Sequence, residues 1–503
     1  VQAAREVLAL EFLLGAVGSA SVTTHLGESE VGKSYGFYVN DEWKIRRRLS
    51  LSLGLRYDYQ QQPYERRCGT SMFNPFVTNP TNGLKGATQY ACVDYGRTFS
   101  EDDKNDFAPR VGFSWDLFGN QKTVVRGGYG ILMSALFSYW NAKYESTNGY
   151  AGTTTAYPAP NGNNLLTAFQ FKDGFPFAPN QPLGARLGPN FFATSSASFK
   201  EQISRTPMSQ QWNLSLQQQF GGGFLVEVAY SANHGTHLLS GSYDLNQADP
   251  AKIREFGLAG RLTNNVPNPF AGKVPGPFGG ATITQAQALR PLPYVGGITV
   301  HAPHAGNSIY HSLLASAEKR FSKGFTFLAS YTFAKLISDS IFNGLNFIGS
   351  EGGNDFGYQN GLYNRRAERS EDPSNVPHRL VLSGLFEVPF GKGRRFDVQN
   401  GVLDAIVGGW QLNTITTIVA GTPTSVRGAN NGLANRPDWI GSLELPSGFT
   451  DANPQRGVQW FNPAAFVNPA LYVFGNTPRA ISQFRNPGAV IVDLSVFKNF
   501  TIT

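Results

Sequence analysis

The stretch RFSKGFTFLASYTF, Arg320–Phe333, decides how this chain is read. From Phe325 onward, apolar residues fall on every second position: Phe325, Phe327, Ala329, Tyr331 and Phe333. Thr326, Ser330 and Thr332 lie between them. Such alternation is the signature of a strand with one apolar face. A near-copy, QFGGGFLVEVAY, runs from Gln219 to Tyr230. Both read as Phe, three turn residues with Gly, Phe, five residues and Tyr, so Phe220, Phe224 and Tyr230 match Phe321, Phe325 and Tyr331.

Scanning outward for period two gives eleven strands. They are expected at Ser34–Trp43, Leu49–Tyr59, Phe107–Leu117, Thr123–Met133, Met208–Phe220, Phe224–Asn233, Ile309–Phe321, Phe325–Leu336, Val376–Pro389, Gly409–Ala420 and Ala489–Lys498. The connections alternate short and long, with one of medium length between Pro389 and Gly409. A soluble sandwich has no reason to place its long loops at every second turn. A membrane β-barrel does, because tight turns face the periplasm and long loops face outside. A strand of about ten residues at ~3.3 Å each, tilted by ~45°, spans roughly the 25 Å apolar band.

The two faces support the same reading. Leu49, Leu51, Leu53, Leu55, Tyr57 and Tyr59 alternate with Ser50, Ser52, Gly54, Arg56 and Asp58. Trp212, Leu214 and Leu216 stand against Gln211, Asn213, Ser215 and Gln217. The polar face is rich in hydroxyls, amides and glycine, as a crowded wet lumen requires. Charges are expected on that face or near strand ends. Lys319 and Lys498 fall on the apolar face, but beside short turns from which they can reach water. Trp43, Trp115, Phe220, Phe224, Phe321, Phe325, Phe390 and Trp410 flank the short turns, and they read as the aromatic girdle at the lipid interface.

Composition agrees. The chain has 503 residues with 56 Gly and 30 Pro, and aromatics make up 13% against 15% charged residues. A disordered chain would be charged and poor in aromatics. The formal charge of +7 comes from dispersed basic residues, which argues against a nucleic-acid partner. The best apolar run, VLALEFLLGAVGSASV, is too short and too interrupted for a membrane helix. Cys68 and Cys92 lie in one polar segment, and a disulfide closing that loop is expected if the compartment is oxidising.

Several phrases resemble the Oar-like type of TonB-dependent receptor barrel. They are YGFYVNDEWKIRRRLSLSLGLRYDY (Tyr35–Tyr59), NDFAPRVGFSWDLFGNQKTVVRGGYGI (Asn105–Ile131), YHSLLASAEKRFSKGFTFLASYTFAKLISD, DPSNVPHRLVLSGLFEVPFGKGRRF, GGWQLNTITTIVAGTPTSV and VIVDLSVFKNF. The resemblance implies a barrel of around 22 strands with an N-terminal plug. It also implies an energy-coupling TonB complex acting through that plug, uptake of a bulky extracellular solute, and usually a carboxypeptidase-regulatory-like fold further upstream. On this reading residues 1–33 lead into the barrel and residues 34–503 form a barrel domain incomplete at both ends. The chain begins at Val1, and no plug, TonB box or closing strands are visible in it.

No catalytic, cofactor or metal set stands out. His234 with His237, and His301 with His304, are spaced by three in expected loops. Glu101, Asp102 and Asp103 are a charge run before a strand, and RGGYG lacks the Lys-Ser or Lys-Thr of a phosphate loop. Three functions follow from these readings. The chain is expected to be an outer-membrane transporter of a siderophore, oligosaccharide or similar solute; the alternatives are an adhesion or signalling barrel, and a soluble secreted carbohydrate-binding β-protein.

Overall fold

Every second side chain of a β-strand points to the same face, so eleven alternating strands laid side by side make a wall with one apolar and one polar surface. A computed structural model describes residues 15–25, 29–134, 149–156, 168–191, 197–203, 205–300, 303–340, 359–433, 435–444 and 461–500. Its main sheet contains all eleven expected strands: β1 (Ser34–Arg46), β2 (Leu49–Gln60), β3 (Phe107–Asp116), β4 (Thr123–Met133), β5 (Met208–Gln219), β6 (Phe224–Leu239), β7 (His304–Ser322), β8 (Phe325–Ser338), β9 (His378–Glu387), β10 (Trp410–Val419) and β11 (Ala489–Lys498). Each pairs antiparallel with its sequence neighbours, so the order in space is the order along the chain. The fold is all-β: an up-and-down wall of barrel type, in which β1 and β11 form the two edges.

Register carries one face across the whole wall. Leu51 stands opposite Phe113, Phe113 opposite Gly127, Gly127 opposite Leu214, Leu214 opposite Tyr230 and Tyr230 opposite Leu313. Leu313 continues to Phe333, and Phe333 to His378. The other face runs Ser52, Gly112, Gly128, Asn213, Ser231 and Ser312. The RGGYG glycines thereby gain a structural meaning. The Phe113 ring covers Gly127 so closely that a Cβ there would lie 2.5 Å from it.

The apolar face is left uncovered. Leu53, Leu55, Val111, Leu214, Leu216, Val228, Leu313, Phe333 and Leu382 are all exposed on it. A monomeric soluble protein rarely exposes a continuous apolar patch of this kind. The buried apolar cluster lies outside the wall instead, in the long connections. It includes Met72, Phe73, Phe99, Phe199, Val274, Tyr294, Ile298 and Val300.

All tight connections lie at one end and all long ones at the other. The β7–β8 turn is tighter than the three residues expected. Ser322 still pairs with Phe325, and Lys323 and Gly324 alone turn the chain with φ of 53° and 82°. Two successive positive φ values define the hairpin turn whose twist matches its strands, which is why Lys-Gly suffices. The medium connection carries a short helix, α1 (Gly401–Val407), capped by the Asn400 side chain.

Candidate functional site: membrane belt, polar wall and loop cap

At the short-turn end, Trp43, Trp115, Phe220, Phe224, Phe321, Phe390 and Trp410 are exposed, and Phe325 is half-buried. Lys319 differs from expectation. It is 5% exposed and does not reach water. A bulge in β7 just before the turn folds its ammonium back onto Ser322 Oγ at 2.6 Å and the Arg320 carbonyl at 3.2 Å. The same group lies 4.1 Å from the Phe325 ring centre and 5.7 Å from that of Phe224. Lys498 is held similarly: its ammonium donates to the Ile406 and Gly408 carbonyls at 2.9 and 2.8 Å and sits 4.5 Å from the Trp410 ring centre. These carbonyls end helix α1, where the peptide dipoles favour a cation.

Asp41 breaks the expected confinement of charge. Register puts it opposite Leu53, on the apolar face. It is only two residues from Trp43, so about 5 Å of depth separates it from the girdle.

The polar wall sorts its charge. Lys44, Arg56, Arg110 and Arg126 lie on the polar face of β1–β4, together with Glu42, Asp58 and, beside the turn, Asp116. Glu227, Glu318, Glu387 and Asp493 lie on the same face of β6–β11, together with Arg379. Arg56 grips Asp58 through both carboxylate oxygens, and Arg126 donates to Gln217 Oε1 at 2.5 Å.

The described parts of the long connections pack into two groups. In the first, Ala197–Phe199 pairs parallel with Ile298–Val300, which also pairs with Tyr243–Asp244. Asn246 fastens this sheet: its amide donates to the Leu292, Val295 and Gly296 carbonyls, and its Oδ1 accepts from Leu292 N. Cys68 and Cys92 are joined by a disulfide across this group, with Cα atoms 5.9 Å apart. In the second group, Glu368 and Arg436 are fully buried and paired at 2.6 Å. Arg479, also fully buried, donates to the Glu368 and Ser338 carbonyls, while Glu371 accepts from Arg485 and Asn375 at 2.5 Å each.

The acidic run is consumed by the fold. Asp102 accepts from Tyr59 Oη at 2.6 Å and Gln62 N at 2.7 Å, and Asp103 accepts from Thr206 N. Asp106, 2% exposed, accepts from Thr206 Oγ1 at 2.7 Å; burial pushes its carboxyl up to about 6. His234 faces Ile309 on the apolar side, His237 sits in a tight bend, and His301 lies outside the described residues. Among the described residues, no three His, Cys, Asp or Glu side chains converge as metal ligands. The loop sheet, the Asn246 hub and the Glu368–Arg436–Arg479 cluster were invisible to periodicity, because each joins segments distant in sequence. Buried arginines carry no local sequence signal.

No curated protein sequence matches the chain. Solved structures similar to it include the ferric citrate transporter FecA in its unliganded form (9% identity, 94% of this chain, 38% of that one, TM-score 0.37). The outer membrane transporter YddB from Escherichia coli is also similar (11% identity, 80% and 44% coverage, TM-score 0.36), as is the copper transporter OprC (11% identity, 79% and 36% coverage, TM-score 0.35). The chain spans less than half the length of each. The family profile described as "Outer membrane beta barrel domain" matches residues 6–503. With its exposed apolar wall and one-sided loops, the chain belongs to the outer membrane β-barrel domain family and resides in the outer membrane.

Proposed function

We propose that the chain is barrel wall and external cap of an Oar-like, TonB-dependent transporter that takes up a bulky solute. The observation that carries this reading is the pairing of a polar, charge-sorted inner wall with long loops packed into an ordered cap at one rim. A pore wall must be wet, and a selective receptor must present a shaped outer surface. The sequence phrases resembling TonB-dependent barrels add the energy-coupling partner and the plug. Residues 34–503 would serve as the barrel domain and 1–33 as its approach. Trp43, Trp115, Phe220, Phe224, Phe321, Phe325, Phe390 and Trp410 would hold the wall at the lipid interface.

A second reading, an adhesion or signalling barrel, draws on the same packed loops, since their described surface suits a protein partner as well as a solute. The soluble secreted reading is overturned by the uncovered apolar face and the family. The test uses cells expressing the complete reading frame and measures solute accumulation before and after an uncoupler collapses the proton gradient. Loss of accumulation with surface binding retained supports transport. Binding without accumulation in either state supports adhesion.

A further inference from the structure

The repeated hairpin carries a second repeat that its sequence alone does not show. Tyr230 Oη and His311 Nδ1 share a hydrogen bond of 2.7 Å, and Tyr331 Oη and His378 Nδ1 share one of 2.8 Å. In each case the His comes from the next strand, and the rings stack at 6.0 and 6.2 Å. When the phenol donates to Nδ1, the imidazole keeps its hydrogen on Nε2 as a free donor. Both His residues are exposed on the apolar face. Lys335, also exposed, stands directly opposite His311.

Depth locates this cluster. Ala232, opposite His311, is eight residues along β6 from girdle Phe224, and His378 is opposite Phe333, eight residues along β8 from Phe325. Eight residues at ~3.3 Å and ~45° tilt rise about 19 Å, near the outer edge of the ~25 Å band. With its Nδ1 accepting from the phenol, the His311 ring is neutral and offers an Nε2 hydrogen beside the Lys335 ammonium. Trp212, Tyr230, Ala232, Leu313 and Phe333 around them bring no carboxylate. The nearest acid in register, Glu371, opposite Ile337, is committed to Arg485 and Asn375. Among the described residues Lys335 makes no ion pair, and near the outer edge of the band its ammonium can reach headgroup level.

We infer that Lys335 and His311, with the Tyr331–His378 pair beside them, hold the phosphate of an anionic lipid headgroup in the outer leaflet. A phosphate there would neutralise Lys335 and accept from Nζ and Nε2, while the rings line its acyl chains. The patch faces the bilayer, which fixes lipid rather than dissolved phosphate as the source. The inference does not depend on solute uptake.

The test is native mass spectrometry of the whole protein in mixed micelles containing bis-phosphorylated lipid A, its dephosphorylated form, or inorganic phosphate alone. The parent should prefer the phosphorylated lipid and ignore inorganic phosphate. Lys335→Gln and His311→Gln should each lower that affinity by about tenfold. Lys335→Arg should bind like the parent. Only protein with heat-shifted gel mobility is scored, so a misfolded variant cannot mimic lost binding. Equal affinity for both lipids, equal binding by Lys335→Gln, an Arg variant as weak as the Gln variant, or saturation by inorganic phosphate would each overturn the proposal.

Discussion

Lys319 shows what a single position hides. Alternation places it on the lipid face, and its nearness to a turn suggested an escape to water. The structure gives it turn carbonyls, a serine hydroxyl and two aromatic faces instead. The bulge that folds it back has no sequence signature, so this residue's partners were not legible. Removing the ammonium leaves those acceptors without a donor. Lys319→Met should therefore destabilise the folded protein in vesicles by roughly 1–3 kcal/mol by urea titration. An unchanged midpoint would show that the group is instead hydrated. Asp106 offers a pH test at the opposite rim. Its carboxyl is raised from 3.8 to about 6 by burial, so the folded state binds the proton more tightly than the unfolded one. Ionisation at pH 7 thus costs stability, a cost that shrinks as pH falls below about 6 and is gone below the ordinary value of 3.8. Protection of amides near Thr206, taken relative to the intrinsic exchange rate at each pH, should rise between pH 7 and pH 5, and Asp106→Asn should abolish the rise. Weaker protection at the lower pH would reverse the sign and refute the assignment.

At the scale of elements, strands were legible and connections were not. Period-two alternation located all eleven wall strands, because a face that meets lipid must stay apolar along its whole length. The ends were less visible: β7 runs to 19 residues and β6 to 16, past the membrane and into the cap. Hydrogen bonding between adjacent strands continues where lipid no longer imposes a pattern. The cap itself depends on long-range polar contacts. Glu368→Gln removes the carboxylate that balances the buried Arg436 charge, a class of change that costs about 3–5 kcal/mol. Limited proteolysis should then cut the connection between β10 and β11 faster while sparing the wall. Equal cutting rates would mean that the pair does not hold the loops. Reduction of the Cys68–Cys92 bond should likewise loosen the connection between β2 and β3. Its expected cost is about 2–4 kcal/mol, read as faster cleavage there under reducing conditions. A pattern unaffected by reductant would contradict this.

For the whole molecule, the decisive fact is that no described element covers the apolar face, while the polar face carries the amides, hydroxyls and sorted charges. The alternating loop lengths announced this arrangement before any coordinates did, since they separate the two ends of every strand. What remained illegible was the excess of carboxylates on the inner face of β6–β11 against the mixed charges of β1–β4, because it emerges only when register aligns distant strands. Leu214 and Asn213 are neighbours on β5, pointing to opposite faces at mid-height. The most direct measurement compares the folding free energies of Leu214→Arg and Asn213→Arg in lipid vesicles. The account requires a penalty of about 2–4 kcal/mol for Leu214→Arg and a much smaller one for Asn213→Arg. Equal penalties, or a larger one at Asn213, would show that lipid does not lie where this wall requires it.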